Sequence, residues 1–551
     1  MNKQIRLFIS ILAFLLGSIT SLAGIRTERE MVSIASAKLT AMGGLTRAEI
    51  SVRKLIDKER FSVYTQGAAG FVVVSRDDAL PPVLAYSDSA IDPDDLPCGF
   101  EWWMRAVDMS ASAKSALPRR VNRTAPLFSE PVGPLLQTQW GQEDPYNMLC
   151  PIYKGERAPT GCVATAVSQI MKYFEYPAQG KGKGYYQLGD NAGRVTENIS
   201  SVYEWDKMID RYKGAKNVTE EQRLAVATLM KEVGLASHMD YAETGSSTTN
   251  LEASYGLCIN FGYDSLALRH ICRDYYNNQD WMEKIYKELS AQRPILYRAA
   301  DAGAGGHAFV FDGYDTDGLV HVNWGWDGKA DGYYNVSDLA PVLNPISGPT
   351  EHYILDQAMV IGFKCQETPD PDEQYRSSLA VDGDYRLEFQ KSYIRVKSDL
   401  IRNENFLCFY GSIGVYFKSA EGKDEHNMYV PIKIKAREMQ TIDPIYYFDE
   451  ISAMAITGSI APGDYVVYLA SKAIQETEPS PIRVPGGPIC YYVTVHEDGS
   501  KEASEPQLLA SGIRDIIYAD KTSVIYNLAG QRQQQLRKGI NIVDGKKIWM
   551  K

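Results

Sequence analysis

Cys162, His307 and Asn323 carry the residue types and the order along the chain that nucleophilic acyl transfer requires. A thiolate attacks, an imidazole takes and returns the proton, and a third polar group fixes the ring. Pro159 and Gly161 argue against helix before Cys162, whereas Val163, Ala166, Val167, Ile170, Met171 and Phe174 recur at the spacing of one buried helix face. Cys162 is therefore expected in a helix's first turn, where unpaired backbone N–H groups and the helix dipole favour the thiolate. From there its own N–H can reach the oxygen of an attacked carbonyl.

His307 follows 145 residues later, opening an apolar strand directly after Gly303-Ala-Gly-Gly306. That separation lies in the range of papain-like enzymes. Asn323 sits on the strand to which the Asp317-Gly318 hairpin returns, and adjacent Trp324 is placed to cover a His–Asn hydrogen bond from water. His321 is the alternative base, although strand alternation puts it on the face of Asn323, nearer the orienting role. Each residue alone has an ordinary structural use; the three together favour catalysis.

These residues need a helical half and a β half to meet. Thr219 to Leu235, with a Thr219-Glu-Glu-Gln222 start resembling a capping box, and Asp280 to Leu289 read as further helices. From Pro294 the period changes to that of strands: Ile295 to Tyr297, His307 to Tyr314 and Leu319 to Trp324. An α+β domain over residues 126–364 is expected, with its cleft where the two layers join.

Around it, the 551 residues divide into several units. Residues 1–23 read as a secretory signal peptide: Lys3 and Arg6, the apolar run Leu7 to Leu16, then Ser21-Leu-Ala23. Residues 24–125 form an α+β unit ending in a linker with Arg119, Arg120 and Arg123, chemistry that invites proteolytic nicking. After the polar stretch 366–373, residues 373–500 alternate as an all-β sandwich. Residues 503–551 form a small, terminally basic segment.

Composition narrows the function. A net charge of −11 without a basic patch argues against nucleic acid as partner. No stretch approaches the roughly 18 apolar residues of a membrane span. Eight cysteines without metal-ligand spacing predict neither a metal centre nor a dense disulfide framework, and the chemistry calls for no cofactor.

Thr160-Gly-Cys-Val-Ala-Thr-Ala166, Gln169-Ile-Met-Lys-Tyr173, Pro177, Met239-Asp-Tyr241, Gly305-Gly-His-Ala-Phe-Val310 and His321-Val-Asn-Trp-Gly-Trp326 resemble the streptopain family of secreted, papain-fold cysteine peptidases, in particular its multidomain members. The resemblance implies Cys162 as nucleophile, His307 as general base, and Gly306 and Ser247, or its neighbour Ser246, as contacts to the substrate backbone, with Trp324 lining the site. It implies protein substrates, an apolar preference at P2, and a pro-domain, residues 24–125, that folds over the cleft as inhibitor and is removed by self-cleavage. The sequence departs from papain-like enzymes at Glu156, six residues before the cysteine, where a glutamine commonly donates to the oxyanion. The donors become the Cys162 N–H with Gln139 or Trp324.

Residues 373–500 resemble an immunoglobulin-like domain. Ile525-Tyr-Asn-Leu-Ala-Gly-Gln-Arg532 with Lys538-Gly-Ile-Asn-Ile542 resembles the cargo signal of type IX secretion, which implies export to the cell surface or beyond. Two other readings compete with the peptidase: a cell-wall peptide amidase or acyltransferase, and a non-catalytic exported adhesin.

Overall fold

The computed structural model describes residues 24–43, 52–66, 70–78, 80–114, 130–189, 193–243, 245–301, 305–337, 356–365, 377–407, 409–419, 425–434, 451–456 and 460–509, and four strands between 525 and 550. The expected leader, the arginine-bearing linker and the polar stretch 366–373 lie outside the described residues. No helix among the described residues is long and apolar enough to cross a membrane.

The N-terminal unit begins with α1 (Glu28–Gly43), which turns Met31, Ala35 and Leu39 onto an antiparallel sheet of β1 (Arg53–Asp57), β2 (Phe61–Thr65), β3 (Phe71–Ser75) and β4 (Val83–Ser87). Strand alternation divides the apolar side chains between the two faces. Tyr64, Val72 and Val74 meet α1, while Phe61, Val63, Phe71 and Val73 share a core with Phe100 and Trp103 of α2 (Cys98–Lys114).

The next unit supplies α3 (Cys162–Phe174), α4 (Glu220–Ala236) and α5 (Asn250–Phe261), followed by β5 (Arg269–Cys272) and α6 (Asn278–Ser290). Strands β6 (Ile295–Asp301), β7 (Gly305–Tyr314), β8 (Val320–Asn323), β9 (Gly332–Tyr334) and β10 (Asp356–Ile361) complete it. The capping box at Thr219 forms with both reciprocal hydrogen bonds. The polar loop after Glu243 leads into α5, a helix whose weak amphipathicity hid it: both Leu257 and Asn260 are buried, and Thr249 caps it by accepting from Glu252 N–H.

The strands run β1-β2-β3-β4-β9-β8-β7-β6-β10-β5, so the N-terminal unit adds its four strands to the sheet that bears His307. The junction pairs Tyr86 with Tyr333 and Ala85 with Tyr334. Residues of the shared sheet alternate between two cores. Leu296, Ala308, Val310 and Val360 pack against the helices α3, α4 and α5. Ile295, Tyr297, Phe309 and Phe311 lie in the core that also holds α6 and the aromatic residues of α2.

At the opposite edge of the sheet, β5 touches the C-terminal unit through a bridge between Arg269 and Asn405. That unit is all-β. Tyr385–Phe389, Tyr393–Ser398 and Ile451–Ile456 form one sheet; Phe409–Ser419, Glu425–Ile434, Gly463–Ala473 and Gly487–Val495 belong to another. Leu387, Ile394 and Val396 of the first meet Val415, Phe417, Val467 and Val493 of the second in one core. Phe409–Ser419 runs unbroken through Gly411, whose backbone passes close to that of Lys472: a Cβ there would fall 2.2 Å from its carbonyl.

Candidate active site

Gly161 decides where α3 starts. Its φ of 86° lies in the region that favours glycine, and a Cβ there would fall 2.9 Å from the Met239 side chain and from the carbonyl of Ser246. No side chain caps the helix, so the N–H groups of its first turn stay available beside Cys162. Behind the cysteine, Val163 to Met171 are all buried, which fixes α3 against the sheet.

The thiol and the imidazole come together from the two halves. Cys162 Sγ accepts the backbone N–H of Ala308 at 3.4 Å and is hydrogen-bonded to His307. Burial alone pushes the Cys162 thiol up; His307, together with the N–H groups of Ala308 and Val163, holds it below its ordinary value. For His307 burial acts downward, but the sulfurs of Cys162 and Cys98 raise the imidazole well above the usual range. The charged pair, thiolate and imidazolium, is thus favoured.

Asn323 does not take the third position expected of it. His307 Nε2 is 2.9 Å from the carbonyl of Trp324, which only accepts, so that nitrogen carries the proton. Asn323 is buried and committed elsewhere. Its Oδ1 accepts from Gln169 Nε2 and Gly325 N–H, both at 3.0 Å; its Nδ2 donates to the Thr138 carbonyl at 2.8 Å and to Gln169 Oε1 at 3.2 Å. Gln169, two turns along α3 from Cys162, thereby ties the cysteine's helix to the histidine's sheet.

Trp324 is held in turn by its N–H to Asp331 Oδ1 at 2.8 Å and its indole N–H to the Ala330 carbonyl at 3.1 Å. Burial raises the Asp331 carboxyl to about 7, against the opposing pull of the Trp324 N–H. His321, the alternative base, is hydrogen-bonded to buried Asp312 at 2.6 Å and stacks edge-on with Tyr333, a structural pair of the sheet.

The remaining expected residues sit in different surroundings. Gly306 is exposed on β7 just before His307. Ser247 is exposed, bridged through its backbone to Asp240, whereas Ser246 is buried and donates its hydroxyl to the Pro159 carbonyl at 2.6 Å. The polar loop thus borders the cysteine, and Ser247 presents the freer hydroxyl. Gln139 is half-buried with its side chain against Gly328. Glu156 is exposed on a hairpin of two-residue strands. Among the described residues no cluster of three His, Cys, Asp or Glu side chains could hold a metal ion.

Sequence reading missed two neighbours: Gln169, legible only as part of a motif, and Cys98, which the fold of a separate unit brings to the imidazole.

Residues 140–334 match the peptidase C10 family, and residues 27–111 match the Spi protease inhibitor family. Streptopain of Streptococcus pyogenes is 32% identical over 322 residues, 55% of this chain and 80% of that protein. The thiol protease/hemagglutinin PrtT of Porphyromonas gingivalis is 33% identical over 336 residues; the match takes in 57% of this chain but only 38% of PrtT. The solved prointerpain A fragment of Prevotella intermedia superposes with a TM-score of 0.52 at 34% identity, covering 58% of this chain and 100% of the fragment. The α+β half carrying Cys162 and His307, and the inhibitor-like unit joined to its sheet, therefore have a known parallel. The chain belongs to the peptidase C10 family of streptopain-like cysteine peptidases.

Proposed function

We propose that this cysteine peptidase is an exported endopeptidase made as a latent precursor, with Cys162 as nucleophile and His307 as acid and base. The observation that carries the reading is the meeting of the Cys162 sulfur, at the start of α3, with the imidazole of His307 at the start of β7. The Cys162 thiolate attacks a peptide carbonyl and His307 protonates the leaving amine. Water then hydrolyses the thioester, with His307 as base. The Cys162 N–H and Gln139 stabilise the oxyanion, Gly306 and Ser247 bind the substrate backbone, and an apolar residue occupies P2.

The inhibitor-like unit supports latency, because α2 begins against the catalytic pair: a Cβ on Gly99 would fall 2.6 Å from His307 Cδ2 and 2.4 Å from the Trp324 ring. A substrate approaching the imidazole meets this backbone first. Self-cleavage in the linker that follows releases it. The C-terminal units are assigned to export: an immunoglobulin-like spacer and a type IX cargo signal deliver the enzyme to the cell surface or beyond.

Expression of the wild type beside Cys162→Ala tests the catalytic part. N-terminal sequencing is expected to find a shortened product from the wild type alone, and casein and apolar-P2 peptides are cleaved only by that product. A variant that matures and cleaves like the wild type overturns the assignment. Full activity of Gln139→Ala at rate-limiting acylation removes Gln139 from the oxyanion site, and secretion unchanged by deletion of residues 503–551 removes the sorting role.

A further inference from the structure

Cys98 has no part in the reaction described, yet it opens α2 beside its centre. The next residue, Gly99, packs its backbone onto the rings of His307 and Trp324. The Cys98 sulfur consequently bears on the same imidazole as the Cys162 sulfur. Among the described free cysteines Cys98 is the exposed one. Cys150, Cys258 and Cys490 show the contrast: burial pushes their thiols up to about 12, about 12 and about 11, so they are chemically inert at neutral pH.

An exposed thiol and an activated thiol that share one proton acceptor have what thiol–disulfide exchange requires: a thiolate, access from solvent, and a base for the second sulfur. We propose that Cys98 is a modification site that forms a reversible disulfide with Cys162, capping the nucleophile and cross-linking the N-terminal unit to the enzyme. This rests on Cys162 being the reactive thiol. The co-reactant is a small-molecule disulfide of the glutathione type. Cys162 thiolate attacks one of its sulfurs and expels a thiolate, which takes the proton of the His307 imidazolium, leaving a mixed disulfide and a neutral imidazole. Cys98, losing its proton to His307, attacks Sγ of Cys162 and expels the second thiolate, which takes that proton. One small disulfide is reduced to two thiols while two protein thiols are oxidised to one disulfide; a thiol reductant reverses both steps.

The remaining gap between the sulfurs closes through the first turn of α2, which follows the exposed residues 92–95. Helix ends are the parts of a helix that shift most readily. The consequence is a second lock. Cutting the linker after α2 does not free the N-terminal unit while the disulfide holds, so release takes proteolysis and reduction together.

The test uses the full chain, wild type and Cys98→Ser, incubated with oxidised glutathione, alkylated and digested without reductant. The wild type is expected to yield a linked peptide pair containing Cys98 and Cys162, lighter by two hydrogens than the separate thiols. After linker cleavage its two pieces co-migrate until dithiothreitol is added. Cys98→Ser yields only a glutathione adduct on Cys162, and its pieces separate without reductant. A wild type that gives only that adduct, with Cys98 freely alkylated, overturns the proposal. Peptide hydrolysis by the matured enzyme, which no longer contains Cys98, is measured in parallel. If hydrolysis persists without any cross-link, the disulfide alone is refuted; if hydrolysis is absent, the assignment of Cys162 falls with it.

Discussion

At Cys162 two opposing effects set the charge on sulfur. Burial disfavours the thiolate, and the imidazole of His307 with two backbone N–H groups favours it more, bringing the thiol below its ordinary value. The alkylation rate of Cys162 in the matured enzyme is therefore expected to stay high through neutral pH, falling only on the acid side of the range where a free thiol already loses reactivity. In His307→Ala the compensating group is gone while burial remains, so the same profile moves to the alkaline side. Peptide hydrolysis drops by at least the ~10²–10⁴-fold that proton transfer contributes. An unchanged alkylation profile in His307→Ala would separate the two residues chemically. Asn323 presents a different case, since its amide is fully engaged by Gln169, Thr138 and Gly325. Gln169→Leu strands the buried Asn323 groups it now satisfies, at a cost of about 1–3 kcal/mol each. A fall in thermal stability accompanied by a fall in kcat is expected, because the same bond aligns the cysteine's helix with the histidine's sheet; a loss of stability with kcat intact would make Gln169 a packing residue only.

Among the elements, α3 shows how a local signal and a tertiary one divide the work. Its apolar spacing sets a helix, and Gly161 sets its first residue through a backbone angle that other residues adopt at a cost. Gly161→Ala is expected to damage activity far beyond its size, since the added Cβ meets Met239 and the Ser246 carbonyl at 2.9 Å. Circular dichroism should meanwhile remain that of the folded chain. At α4 the effect is purely local. The Thr219 hydroxyl and the Gln222 side chain satisfy each other's backbone N–H groups, so Thr219→Ala should lower unfolding free energy by about 1 kcal/mol with kcat/KM untouched. A catalytic defect there would mean that the cap acts beyond its own helix.

The whole molecule is arranged along one sheet. The inhibitor-like unit extends it past β9, the β-sandwich contacts its far edge at β5, and the strand bearing His307 lies between. Trp103 anchors the first junction: it is 1% exposed, its indole donates to the Asn335 carbonyl at 3.0 Å, and its ring meets Phe100 and Tyr334. Trp103→Ala should weaken that docking by roughly 3–5 kcal/mol, the usual cost of emptying an aromatic core position, and so hasten maturation measured as loss of the full-length chain. Slower maturation would mean that the tryptophan serves the folding of the enzyme more than its restraint.

The sequence by itself determined the helix that starts at Cys162, the strand that carries His307, the capping box at Thr219 and the all-β character of the C-terminal unit. Each depends on apolar period, turn residues or caps within a few positions, where local interactions are decisive. Only the tertiary structure decided that the Trp324 carbonyl, and not Asn323, accepts from the imidazole, that Gln169 occupies Asn323, and that Cys98 reaches His307. Those contacts join residues far apart in the chain, and which hydrogen-bond partners a buried amide or imidazole takes is settled by the packing of whole elements against one another.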